Sequence, residues 1–130
     1  MTKASNLIVK QVCTRKYKFI QEEMRINIKP LSINNCFQGR RFRTKEYDKY
    51  EKAVMLQLPN IVVPKVGRLI LKVEVAFSNS AADVDNCLKP IIDILQKRYE
   101  FNDNRIYRIE IDKVIVKKGF EYIDLFIETM

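Results

Sequence analysis

The residues of this chain best placed to do chemistry lie in one stretch, DVDNCLKPIIDIL, from Asp83 to Leu95. Asp83 and Asp85 are separated by a single residue; Lys89 follows Asp85 by four positions, and Asp93 follows Lys89 by four. On a helix that starts by Asp85, the steps of four put Asp85, Lys89 and Asp93 on one polar stripe. The apolar stripe of Leu88, Ile91 and Leu95 lies opposite. Pro90 favours a first regular turn near Lys89, because proline fits best at the first position of a helix. DVDN would then be a structured loop leading in. A second acidic break, NDNR with Asp103, comes at the far end of the same helix. If the strand after it pairs beside the strand at 68–77, Asp103 returns toward Asp83 and Asp85.

Each of these residues has a plain structural use. An aspartate at a helix start caps free N–H groups and favours the helix dipole. A surface Lys89 pair with Asp85 or Asp93 is worth about 0.3–0.5 kcal/mol. Together they suggest more. Three carboxylates brought together repel one another, and a divalent cation relieves the repulsion. Oxygen-only ligands suit Mg²⁺ or Mn²⁺ and not zinc. Such a metal beside a basic surface is what phosphodiester hydrolysis needs, since it activates a water and stabilises the transition-state charge. Lys89 would act as a point charge for the phosphate. An EF-hand fits poorly: its sixth position would be Leu88 instead of Gly, and its twelfth Ile94 instead of Glu.

Composition narrows the chemistry. The chain has no histidine, which excludes a Ser-His-Asp triad, a Cys-His pair and HExxH zinc chemistry. Cys13, Cys36 and Cys87 are odd in number and widely spaced, so buried reduced thiols are expected and not a disulfide framework. Residues 1–68 hold 15 Lys/Arg against 5 Asp/Glu, while residues 69–130 hold 9 against 11, within a net charge of +8. A basic half attracts a polyanion and an acidic half can hold cations. No apolar run is long enough to span a bilayer, and no signal-peptide h-region is present. A cytoplasmic protein is expected.

The elements that must position these residues form one domain of α/β (α+β) class, at 24–130, behind a basic N-terminal arm at 1–23. Ile26 and Ile28 alternate as in a short strand. CFQGRRFR is an exposed loop. Thr44 caps a helix that runs to about Leu58, with Tyr47, Tyr50, Val54 and Leu58 as its apolar stripe. RLILKVEVAF alternates as a half-buried strand, and the motif helix follows it. The segments IYRIEIDKVIVKK and YIDLFIE are two strands, expected as a hairpin turning at Lys118-Gly119. The order β-α-β-α-β-β predicts a single mixed sheet with two main helices packed on it.

DVDNCLKPIIDIL followed by NDNRIY resembles the signature of the RusA-type Holliday-junction resolvases, roughly D-x-D-N-x-x-K-x-x-x-D-x-L and then an Asp-Asp pair. PLSINNCFQGRRFRTKEY resembles that family's N-terminal loop. The resemblance covers about residues 24–128. It implies a RusA-like fold and a Mg²⁺-dependent homodimer, bacterial or phage-encoded, that places symmetric nicks in a four-way DNA junction during recombination or repair. It also implies that Asp83, Asp85 and Asp103 bind the metal and that Lys89 is the catalytic lysine. The family's Asp-Asp pair reads Asn102-Asp103 here. That loss motivates an alternative, a relative that binds branched DNA without cutting it. A third possibility is an unrelated basic interaction protein. In the resolvase reading Arg40, Arg41, Arg43 and Lys45 contact DNA phosphates, and Phe42 stacks on or wedges between bases.

Overall fold

The computed structural model describes residues 23–39 and 42–130. The expected arm lies outside the described residues, except for Glu23. Among the described residues the fold is one mixed four-stranded sheet with two α-helices on one face, as the order of elements predicts, and a small two-stranded hairpin beside it.

The first helix, α1 (Lys45–Gln57), begins where the sequence places it. Thr44 is extended, and its hydroxyl accepts from the Tyr47 N–H. Tyr47, Tyr50, Val54 and Leu58 are all buried. The second helix, α2 (Asp85–Tyr99), starts earlier than Pro90 suggests. Pro90 lacks the N–H that would reach back to Asn86. The first turn closes instead with a Cys87 N–H to Val84 carbonyl bond of 3.1 Å, and the proline ring packs fully into the core. Glu100, at φ 55°, ends the helix in the left-handed region.

The sheet has four strands: β1 (Met24–Ile26), β4 (Leu69–Phe77), β5 (Ile106–Ile115) and β6 (Tyr122–Thr129), in the spatial order β1-β6-β4-β5. A small hairpin of β2 (Phe37–Gln38) and β3 (Phe42–Arg43) lies within the expected loop. β4 pairs parallel with β5 and antiparallel with β6. The expected β5–β6 hairpin is therefore not formed: the two strands flank β4 on opposite sides. Two residues at Lys118-Gly119 cannot step across a third strand. The connection instead passes the end of β4, where the Val116 N–H donates to the Phe77 carbonyl at 2.8 Å. β4, at the centre, is the most buried strand, although Lys72 and Glu74 lie on its second face. Leu69, Leu71, Val73, Val75 and Phe77 are buried under the helices, and Ile70 and Ala76 are buried on the other face.

The core joins that row with Ile123, Leu125 and Ile127 of β6, Met24 and Ile26 of β1, and Ile91, Ile94 and Leu95 of α2. The sheet's other face carries paired polar groups. Arg25 donates to both oxygens of Asp124 at 2.7 and 2.8 Å, and the Tyr122 hydroxyl donates to Glu74 at 2.6 Å. No helix among the described residues is long and apolar enough to cross a membrane.

Candidate functional site

The β4–α2–β5 crossover decides which acids meet. β4 and β5 are parallel, so their starts lie together and the register pairs Leu69 with Ile106. Asp83 and Asp85 follow the end of β4; Asp103 precedes the start of β5. The strand pairing that would return Asp103 to the other two is present, but its parallel sense sends Asp103 to the opposite end of the sheet. There the Asp103 N–H donates to the Gln96 side-chain oxygen at 2.8 Å. About 16 Å of helix rise separates Asp85 from Gln96 at 1.5 Å per residue. The described residues contain no group of three acidic or thiol side chains placed to hold one metal ion.

A different set does converge. The Lys89 ammonium lies 3.2 Å from Asp93 Oδ1 and 3.6 Å from Asp103 Oδ2. Gln96 links the same two acids: its amide donates to Asp93 at 3.2 Å while its oxygen holds Asp103. The Asn102 side chain accepts from the Asn104 N–H at 2.9 Å and so caps the short turn that presents Asp103. Lys89 therefore joins the two halves of the motif. Its hydrogen bond with Asp93, and then the charge of Asp103, hold its pKa above the ordinary lysine value. Asp85 is exposed one helical turn before Lys89 on the same stripe.

Asp83 faces elsewhere, into an open cleft of about 860 Å³ at the carboxyl end of β4. Lys29, Lys49 and Lys118 line this cleft, together with Glu46 and Glu121. Gln96 is the site residue that the sequence reading did not select, and Asp93, although within the motif, was given no metal role. The signal for Gln96 was the spacing, since Lys89, Asp93 and Gln96 continue one helical stripe.

The donor set can be tested against Mg²⁺. A three-aspartate cage of Asp83, Asp85 and Asp103 does not fit this arrangement. At phosphate sites, however, Mg²⁺ takes only one or two carboxylates and completes its shell with water and substrate oxygens. Asp93 and Asp103 meet that requirement, because they already flank one cation, the lysine ammonium. When bound, Mg²⁺ would supply an activated water and charge stabilisation at a phosphate.

The basic loop divides in the same way. Phe42 is 76 % exposed and Lys45 is exposed at the start of α1. Arg43 is not free for phosphate. It lies 3.0 Å from Asp48 and 2.7 Å from Glu51, and its guanidinium sits over the Tyr47 ring at 4.1 Å. Arg43 thus pins the loop to α1, a use that its place among arginines did not reveal. Arg40 and Arg41 lie outside the described residues. Glu51 also accepts from Lys97 of α2 at 2.7 Å. Burial opposes its ionisation, but the Lys97 and Arg43 hydrogen bonds hold its pKa below the ordinary glutamate value.

Cys36 and Cys87 are buried and free. Burial pushes both thiols up to about 11, with the Asp85 charge adding to the effect at Cys87, so neither is a nucleophile at neutral pH. No protein-family model matches the chain, and no curated protein matches it.

Proposed function

We propose that this chain is a structure-specific endodeoxyribonuclease that acts on four-way DNA junctions as a Mg²⁺-dependent (or Mn²⁺-dependent) hydrolase, a Holliday-junction resolvase of the RusA type. The observation that supports this most is the meeting of Lys89 with Asp103. These two residues come from separate motifs and are joined only by the fold. In this reading Lys89 leaves its carboxylates to hold the scissile phosphate, and Asp93 and Asp103 are then free to share a metal. Asp85, one turn along, is the nearest further carboxylate on the stripe. Phe42 and Lys45 contact the DNA, with Arg40 and Arg41 beside them in sequence. Paired nicks in a two-fold junction ask for two copies of the site, hence a homodimer. Cytoplasmic DNA recombination and repair, in a bacterium or a phage-infected cell, is the proposed setting.

The test uses the full chain, a synthetic four-way junction and a linear duplex of the same sequence, with Mg²⁺ present. Paired nicks are expected in the junction and not in the duplex. Asp103→Asn should lower the rate by roughly 10²-fold, the size of effect seen when one charge-stabilising group is removed from an active site. Undiminished cutting by Asp103→Asn would contradict the proposal.

A second reading has its own observation. The Lys89 ammonium stands between Asp93 and Asp103, and Asp83 faces a separate cleft. A protein so arranged would bind branched DNA without cutting it. Its signature would be junction binding that weakens steeply with salt, through counterion release, with no nicks at any metal concentration.

A further inference from the structure

The proposed function asks for two copies without saying where they meet. β5 offers a place, and the argument for it stands whether or not the chain cuts DNA. β5 is an edge strand of ten residues, bonded to β4 on one side and to no strand among the described residues on the other. Proteins usually guard such an edge with proline, short length or outward lysines. β5 has no proline and no glycine. Lys113 turns back to donate to the Ser80 and Ala82 carbonyls at 2.7 and 2.6 Å, so it does not guard the edge. On the helix side of the sheet Ile109 and Ile115 are 41 % and 50 % exposed, in register with buried Leu71 and Phe77. Arg108, Glu110 and Asp112 occupy the other face, in register with Ile70, Lys72 and Glu74.

Of the two-fold axes that pass through residues 108–112, one sets no like charges against each other. A two-fold axis perpendicular to the sheet keeps each face on its own side, so it must pass through a residue. An axis through Ile111 sets Glu110 against Asp112 twice. An axis through Glu110 sets Arg108 against Asp112 twice but also Glu110 against its own copy. An axis through Ile109 sets Arg108 against Glu110 twice and Ile109 against its own copy. Opposite charges directly across a strand pair stabilise it, and like charges destabilise it. We infer that a second copy of this chain pairs antiparallel along β5 about Ile109, so that the two sheets become one.

The oligomeric state of the full chain tests this by light scattering and sedimentation. The wild type is expected as two chains. Arg108→Glu alone and Glu110→Arg alone each set two like charges across the axis and should weaken association by roughly tenfold or more. The double variant Arg108→Glu/Glu110→Arg restores both opposite pairs and should restore the dimer. Circular dichroism checks that each variant is folded. Ile109→Cys, placed on the axis, should form a covalent dimer on mild oxidation where the wild type does not. A monomeric wild type would overturn the inference. So would a dimer indifferent to the single reversals, or a folded double variant that stays monomeric. Junction cleavage, measured separately, shows whether the nuclease reading stands or falls.

Discussion

Lys89 carries two meanings that one substitution separates. As an ion pair it is weak, because its side chain is more than half exposed and salt screens it. Lys89→Met should therefore shift the unfolding free energy by no more than about 1 kcal/mol. If Lys89 holds a scissile phosphate, the same change should lower junction cleavage roughly 10²-fold. Comparing urea midpoints with cleavage rates separates the two effects. Tyr50 presents the opposite case. Its hydroxyl is buried; burial raises its pKa, and a backbone hydrogen bond from Leu31 works against that rise. Tyr50→Phe removes the hydroxyl's burial cost and its one weak backbone bond together, so it should change the unfolding free energy by no more than about 1 kcal/mol in urea. The pairing of Lys89 with Asp93 was legible in the sequence, since a step of four residues on a helix leaves little choice. The landing of Asp103 beside them was not. It depends on a Gln96 side chain and on the parallel sense of a distant strand pair.

At the scale of elements, α1, its preceding loop and α2 are held by one carboxylate. Glu51 bonds Arg43 from the loop and Lys97 from α2. Its folded pKa lies below the unfolded value, so its contribution is present above about pH 4.3 and is lost as pH falls through the lower folded value. Glu51→Gln should lose about 1 kcal/mol at pH 7. The gap in thermal midpoint from wild type should close as pH drops below about 4. A gap that is constant with pH would contradict this role. The stripes of both helices and the alternation of β4 were readable because burial imposes the periodicity directly. The β5–β6 hairpin was misread for a physical reason. A Lys-Gly turn signal is local, whereas the centre of the sheet goes to the strand that buries the most side chains. β4 is that strand, and it separates the two.

Across the whole molecule, an uneven charge distribution frames one acidic helix face. If the chain binds a junction through phosphate contacts, log affinity should fall linearly with log salt at a slope of about −0.9 per phosphate neutralised. Lys45→Ala should make that slope shallower by about one unit without changing the preferred branch structure. Filter binding across a salt series checks this, and an unchanged slope would remove Lys45 from the contact surface. The single-domain mixed α+β class was legible from the order and periodicity of the elements. Which acids share a site was not, because the crossover fixes it and no local pattern encodes the sense of a strand. The central claim is that the two motifs act as one unit through Lys89 and Asp103. A double-mutant cycle on junction cleavage with Lys89→Met, Asp103→Asn and the pair tests it most directly. If they form one unit, the double variant should be about as slow as the slower single variant. Losses that simply multiply would show two independent sites and contradict the claim.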